Sequence, residues 1–413
     1  METHADVIVV GAGPAGAMAA FHLAGKGISV LLLEKSDFPR YKVCGGGLTH
    51  KILNEIPFDI SPLFESSIHQ VQFSCEFKEV FTRSSATPLM YCTMRDKLDA
   101  VLLEKAQKAG AKVLFGEKVM NIRQDEHLVT VTCQKNQYHS LLVIGADGAA
   151  GAVARSAGLR NHLMPGLAWE AEIPVQAGII QRFSETIFLD WGTFPGGYGW
   201  VFPKKDHFSI GVGGPANLSG SMMTYYKRFL DYLNDEGCRI SEGLKQEGST
   251  PFSLKSWPIP VRIRKSRFHH GRVLVTGDAA GLTDALTGEG IYYAVRSAKL
   301  AADACAAWLR DSRSSLKTYT ENVNDTLMGE LLEANRIKNI FNAVPLKIHH
   351  FVRDHERAWN AFGKVLRGER GYTDVRKGFG TWKFLWGTVC FISKLISARK
   401  EKAFKSKGYT GNG

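Results

Sequence analysis

The chain has no run of about twenty apolar residues, the length a helix needs to cross a bilayer. It has no internal repeat and no low-complexity segment, which excludes repeat architectures. No two of its seven cysteines form a CxxC pair, and an odd count does not make a disulfide scaffold. Cys75 and Cys133 fall at inward positions of alternating strands and read as small core residues of a reduced chain. Neighbouring histidines, His269 with His270 and His349 with His350, diverge on a strand or a helix, so no metal site is expected. The first strand begins within about six residues, too soon for a signal or transit peptide, and a cytoplasmic location is expected.

What is present is ordinary globular material in quantity. The 413 residues suffice for two or three domains, with 44% apolar and 22% charged residues. The net charge of +12 is concentrated at one end: from Lys364 to Lys407 twelve Lys/Arg face three acids, Glu369, Asp374 and Glu401. A basic excess at one end, with no recognition motif, argues against a nucleic-acid binder.

The most informative stretch runs from Asp6 to Lys35. Val7 to Val10 is short, apolar and β-branched, as a buried parallel strand requires. It leads into Gly11-Ala12-Gly13-Pro14-Ala15-Gly16, a small-residue helix, and a second strand, Ser29 to Leu33, ending at Glu34. Gly11 serves the tight turn, Gly13 the close approach of backbone to a pyrophosphate, and Gly16 the packing of helix on strand. The helix N-terminus attracts the diphosphate. Glu34 stands eighteen residues past Gly16, where an acid accepts ribose hydroxyls. The stretch predicts a dinucleotide site without naming the dinucleotide.

Further along, Ser36 to Leu48 is a loop with Pro39, flanking cations, Cys44 and three successive glycines, suited to lying flat against a planar ligand. Gln70 to Lys78 alternates, with Val71, Phe73, Cys75 and Phe77 expected on one face of an antiparallel strand. Met94-Arg95-Asp96-Lys97-Leu98-Asp99 opens an amphipathic helix, and Leu141 to Ile144 is a strand ending in Gly145-Ala146-Asp147-Gly148. From Ala168 to Pro260 strands alternate again, with Lys204-Lys205-Asp206 expected as a solvated hairpin turn. Arg272 to Thr276 is a buried strand entering GDAAGLTDALTGEG, followed by a helix from about Ile291.

Taken singly, Asp147-Gly148 and Gly277-Asp278 are common turns. Their order is the informative part. A GxGxxG with a distant Glu, then RxxLD, then ADG, then VLVTGDAAGLTDALTGEGI resembles FAD proteins of the hydroxylase-like fold, and more closely the geranylgeranyl reductase family of flavoproteins. The latter resemblance covers about residues 6 to 310 and rests on FPRYKVCGGGL (38–48), GYGWVFP (197–203) and the Gly277–Ile291 motif. It implies an α/β fold: a doubly wound, Rossmann-type FAD-binding domain, an inserted antiparallel-sheet substrate domain and a helical C-terminal region. Residues 1–50, 88–160 and 262–310 are expected to form the first, 51–87 and 161–261 the second, and 311–413 the third.

The family reduces isolated C=C bonds in polyprenyl chains, so the resemblance implies an FAD-dependent reductase of a prenyl-chain lipid or diphosphate. Gly11, Gly13, Ala15, Gly16 and Glu34 would then hold the ADP half. Cys44, Gly45 and Gly47 would line the flavin, with Arg95, Val119 and Asp147 completing the diphosphate and adenosine contacts. Asp278, Gly290 and Ile291 would hold the ribityl and isoalloxazine, the helix N-terminus favouring the flavin edge that turns anionic on reduction. Tyr198 and Trp200 would face the flavin from the inserted sheet and grip the prenyl chain.

An isolated alkene has no carbonyl to polarise it, so a hydride and a proton must both be delivered. Aromatic faces stabilise cationic character at the more substituted carbon, which makes Tyr198 and Trp200 candidate catalytic walls. Phe188 and Trp191 are two further candidates, read first as sheet core. Cys44, near Arg40 and Lys42, is the candidate proton relay, since neighbouring cations favour a thiolate. Only one GxGxxG is present, so the electron donor is either transiently docked NADPH or a ferredoxin-type carrier. The same motifs suit a flavin monooxygenase or halogenase, although the halogenase WxWxIP pattern is absent, and also a flavin electron-transfer protein that meets quinones. Trp382 to Ile396, with flanking Lys383, Lys394, Arg399, Lys400 and Lys402, suits peripheral contact with an anionic membrane surface across 382–402.

Overall fold

The computed structural model describes residues 4–238, 254–311, 313–377 and 383–406. The chain opens with β1 (His4–Val10), α1 (Pro14–Ala24), β2 (Val30–Leu33), β3 (Gly47–Thr49), β4 (Phe64–Ile68), β5 (Gln70–Cys75), β6 (Lys78–Ser84) and β7 (Met90–Thr93). It continues through α2 (Arg95–Lys108), β8 (Lys112–Leu114), β9 (Val119–Gln124), β10 (Val129–Cys133), β11 (Gln137–Gly145) and α3 (Val153–Ser156). Next come β12 (Leu163–Pro174), α4 (Ala177–Phe183), β13 (Thr186–Trp191), β14 (Tyr198–Pro203), β15 (His207–Pro215) and α5 (Ser219–Leu233). Then follow β16 (Lys255–Arg262), β17 (His269–His270), β18 (Val273–Val275) and α6 (Ile291–Arg310). The last described helices are α7 (Lys317–Thr326), α8 (Met328–Ala343), α9 (Pro345–Asp354), α10 (Glu356–Leu366), α11 (Tyr372–Lys377) and α12 (Lys383–Ser406).

Three sheets organise these strands. The first has the order β17-β18-β11-β1-β2-β8, parallel from β18 to β8, with β10 and β9 added antiparallel on β11. The middle of the sheet is apolar, as a sheet covered by helices requires; Val7, Ile8, Val9, Leu32, Leu142, Val143 and Val273 are all fully buried. The carboxyl ends of β1, β2, β11 and β18 open on one crevice, the usual ligand position in such a sheet.

The second sheet, β16-β12-β15-β14-β13-β5-β6, is antiparallel except where β5 runs parallel to β13. Helix α5 covers one of its faces, with Tyr225, Tyr226 and Phe229 packed on Phe208 and Val212. Its other face turns toward the first sheet and helices α8 to α10. A small third sheet, β3-β7-β4, joins the two, and the sequence pattern did not anticipate it. Its strands are only three to five residues long, too short for a period to declare itself.

The expected strand from Gln70 to Lys78 is corrected. It ends at Cys75, because Glu76 and Phe77 take left-handed φ values of 55° and 63° and reverse the chain into β6. Val71, Phe73 and Cys75 keep one face, but Phe77 leaves it and stacks on Tyr225 across the sheet, 5.3 Å between centroids. The turn is held by Asp190, which accepts from Phe77 N–H at 2.9 Å and from the Ser74 and Tyr225 hydroxyls. Among the described residues, no helix is long and apolar enough to cross a membrane. Trp382 lies outside the described residues.

Candidate active site

A single cavity of about 1470 Å³ runs from the crevice of the first sheet, under the second sheet, to helices α8, α9 and α10. Ligand pockets are commonly about 300–1,000 Å³, so this one has room for more than one bound molecule.

One end is built by glycine. Gly11 (φ 96°) makes the turn out of β1, and a Cβ on Gly16 would fall 1.7 Å from Gly11 O, inside the helix–strand contact. Gly13 looks into open space bounded by Arg40, and precedes Pro14 at the start of α1. Glu34 is buried beside them. Its two carboxylate oxygens accept from Ala12 N–H (2.7 Å) and Ser36 N–H (3.0 Å), which ties the glycine turn to the end of β2. A carboxylate has further lone pairs for hydroxyl donors. Arg95 gives two 2.9 Å bonds to Asp99, which Arg40 also reaches at 3.3 Å. Burial opposes its charge, but Asp99 and Cys44 beside it raise the guanidinium pKa. Val119 lines the same end at the bulge between β9 and β10.

Asp147 is spent differently from a simple ligand contact. One carboxylate oxygen accepts from Val153 N–H at 2.9 Å and starts α3, while the other is buried with no protein partner. Burial raises its pKa. Across the crevice, Gly290 is the residue before α6, its Cα-hydrogen side facing Asp278 and Thr283, and Ile291 begins the helix. Asp278, Gly290 and Ile291 all border the cavity.

The middle of the cavity is where the Cys44 loop meets the second sheet. A Cβ on Gly45 would lie 2.8 Å from the Phe202 ring, and one on Gly47 2.4 Å from Met90 Cε, so the loop lies flat against that wall. Cys44 Sγ accepts from Gly46 N–H at 3.4 Å. Tyr198, Trp200 and Phe202 follow one another along one face of β14, with centroids 5.8 and 6.4 Å apart. Tyr198 donates to Thr287 O at 2.5 Å, and burial pushes its phenol up. Trp200 is 7% exposed, and its indole N–H has no protein partner. Trp191 also lines the cavity, whereas Phe188 packs on Phe229 at 5.9 Å on the other face of the sheet.

Lys204 overturns the expected solvated turn. It is 2% exposed, and its ammonium donates to Gly45 O (2.7 Å) and Thr93 O (2.9 Å), pinning the glycine loop to β7. The two main-chain carbonyls it donates to offset the desolvation of the ammonium. Lys205 remains exposed.

Three further groups complete the site, of which the sequence pointed only to Lys42, as a neighbour of Cys44. Glu170 on β12 is fully buried, accepting from Cys44 N–H (2.7 Å), Ser209 Oγ (2.8 Å) and Tyr41 (3.5 Å). Lys51 and Glu289 form a 2.7 Å ion pair between the loop end and the residue before Gly290; despite burial, the carboxylate raises the Lys51 pKa. Lys42 lies 3.8 Å over the Trp257 ring, its ammonium lowered by burial to about 8. Each joins residues far apart in the chain, and a lone charge in a sequence carries no trace of such a partner.

The far end of the cavity is mostly apolar, with Lys338, Asn342, Arg357, Arg370 and Asp374 also on its lining. Val71, Phe73, Leu189 and Trp191 form one side, and Ile337, Phe341, Ile348, Ala361 and Phe362 of the C-terminal helices the other.

The glycine turn, the flat loop, the unpartnered Asp147 oxygen and the cavity's extent fit an FAD molecule laid from Glu34 to Ile291. Residues 4–176 match the family described as FAD binding domain. A geranylgeranyl diphosphate reductase of Synechocystis is 30% identical over 321 residues, covering 73% of this chain and 75% of its own. A digeranylgeranylglycerophospholipid reductase of Methanocaldococcus jannaschii is also 30% identical, covering 76% of this chain and 81% of its own. In fold, the chain is similar to a geranylgeranyl bacteriochlorophyll reductase-like protein of Thermoplasma acidophilum, with a TM-score of 0.69 at 23% identity over 83% of this chain and 88% of that one. A flavin-dependent brominase reaches the same TM-score at 20% identity, over 89% of this chain and 94% of that one.

Proposed function

The chain belongs to the geranylgeranyl reductase family of FAD-dependent oxidoreductases, and on that premise we propose that it saturates C=C bonds in the polyprenyl chain of an isoprenoid lipid or diphosphate. The observation that carries this reading is the shape of one cavity. A glycine-lined trough for a dinucleotide continues without a break into a long apolar hall of aromatic and aliphatic side chains. A hydroxylated aromatic substrate would leave that hall empty, whereas a prenyl chain fills it.

When bound and reduced, FAD supplies the hydride. The chain's own residues do the rest. Gly11, Gly13, Ala15, Gly16 and Glu34 hold the adenosine and diphosphate end, Arg95 adds a fixed positive charge, and Asp278, Gly290 and Ile291 hold the other end. Tyr198 and Trp200 present ring faces to the alkene and favour cationic character at its more substituted carbon. Cys44 gives the proton from a thiol whose sulfur accepts from Gly46 N–H. Glu170 fixes the backbone of Cys44 and so the position of the thiol. The electrons come from NADPH or a ferredoxin-type carrier.

The test is anaerobic incubation of dithionite-reduced holoprotein with geranylgeranyl diphosphate and with a prenylated glycerolipid, followed by mass analysis. A gain of two hydrogens per double bond is expected. Product that appears only with oxygen would replace this reading with a monooxygenase or halogenase. Cys44→Ala is expected to keep its flavin and lose at least about tenfold in turnover, a lost proton-transfer contribution. Unchanged turnover would remove Cys44 from the chemistry.

A further inference from the structure

Helix α12 is amphipathic with its faces reversed. The face turned to the protein is small and polar: Ser393 is buried, and Cys390, Ser397 and Glu401 are half-buried. The face turned outward is apolar. Phe391 is 63% exposed, and Val389, Ile392, Leu395 and Ile396 are exposed with it. At 3.6 residues per turn, positions 391, 392, 395 and 396 form one stripe, and Arg399 and Lys402 continue it on the next turns. Lys394 and Lys400 are exposed at its two edges. The stripe carries no acid, because Glu401 is turned inward to Asn217 (2.8 Å) and Lys405 (3.1 Å).

Water is a poor solvent for such a face, and contiguous exposed apolar surface marks something that covers it. A helix of this kind, apolar on one side with basic residues along and beyond the stripe, lies in the plane of an anionic lipid surface. A second copy of the same face would add more cations and no acid, so charge disfavours it as the occupant. The position of α12 agrees with a lipid surface. Lys400, Ala403 and Phe404 border a small cleft with Trp191, Gly196, Gly197, Phe341 and Asn342, and those five residues also line the main cavity. The helix therefore sits against the outer side of the apolar hall.

We propose that α12 is an interfacial helix that seats the protein on an anionic bilayer, apolar stripe inward to the lipid, with the apolar end of the cavity beside the membrane. The outward apolar and basic face of α12 stands independently of the proposed reaction; only its purpose, access to a lipid-borne chain, rests on that reading.

The test is flotation of the full-chain holoprotein with vesicles of phosphatidylcholine and phosphatidylglycerol in equal parts, and with phosphatidylcholine alone. The wild-type chain is expected to float with the anionic vesicles, and Phe391→Ser/Ile392→Ser/Leu395→Ser to partition at least tenfold less. Lys394→Gln/Arg399→Gln/Lys402→Gln is expected to lose about fivefold per cation removed, and added salt to reproduce that loss. Flavin absorbance of each variant reports whether it has folded, and the glutamine set serves if the serine set has not. A wild-type chain that stays at the bottom of the gradient overturns the proposal. So does a correctly folded serine variant that floats equally well. Light scattering that finds a wild-type dimer and a monomeric serine variant overturns it in favour of a second copy. Flotation without reduction of geranylgeranyl diphosphate would break the proposed reaction and leave the membrane surface standing.

Discussion

The two ends of the cavity are built on opposite principles. At the cofactor end, backbone does the work: glycines make room, and Glu34, Asp147 and Lys204 are spent on main-chain N–H and C=O groups. At the helical end side chains do the work, and the wall is mostly apolar residues from β5, β13, α8, α9 and α10, with Lys338, Asn342 and Arg357 among them. A backbone-built wall tolerates almost no added atom, because nothing in it can rotate away. A side-chain wall tolerates substitutions that keep its volume and polarity. The lesson is that cofactor binding and substrate grip should be separable by mutation.

The sharpest break is at the glycine turn. Gly16→Val puts atoms where Gly11 O already lies, since even a Cβ would sit 1.7 Å from it. The purified variant is expected to be colourless, with flavin absorbance at baseline. Next in size is Lys204→Met. It leaves Gly45 O and Thr93 O buried without their donor, a loss on the order of 2–6 kcal/mol at about 1–3 kcal/mol each. Chemical denaturation should show the lower stability, and flavin should leave the variant at lower denaturant than the wild type.

The third prediction probes the back of the apolar wall. Burial raises Asp190 to about 6, against the hydrogen bonds from Ser74, Phe77 and Tyr225 that favour its charge. The folded state then binds a proton more readily than the unfolded chain. Ionised Asp190 is a penalty above pH 6, and stability from this carboxyl rises as pH falls from about 6 toward 4, by up to about 3 kcal/mol. Asp190→Asn is expected to remove that slope, read as the denaturation midpoint at pH 7 against pH 5. An unchanged slope would mean that Asp190 is not the group responsible. The smallest effect is expected at the helical end. Ala361→Trp fills part of the hall and should keep full flavin while raising the KM for a geranylgeranyl substrate about tenfold, ~1.4 kcal/mol of lost binding. Loss of flavin from that variant would show that the two ends do not act separately.

The backbone-built end was legible because its demands are local. A GxGxxG followed by a helix and then an acid eighteen residues on can be read from neighbours in the chain, and so can the three glycines beside Cys44. The alternating strands around Tyr198 and Trp200 were legible for the same reason. Phe77 was misplaced because its period-two pattern runs on through a turn that Asp190 and Trp191, over a hundred residues away, hold in place. Lys204 was misread because a lysine after a strand is usually solvated, and nothing nearby announces the two carbonyls waiting above it. The helices α8 to α10 show mixed polarity along the chain, since α8 packs on α7 and α12 as well as on the cavity, and α9 and α10 turn part of their surface to water.

The sequence by itself determined the dinucleotide turn, the flat Cys44 loop, the order of the FAD motifs and the resemblance they carry. Those features depend on φ freedom, missing side chains and short spacings, which are written in consecutive residues. Tertiary structure alone decided that Glu170, Lys204 and the Lys51–Glu289 pair converge on that loop. It also decided that the C-terminal helices close the apolar hall and that α12 turns its apolar face outward. Burial and pairing are properties of what lies across the fold, and a residue's neighbours in sequence do not contain them.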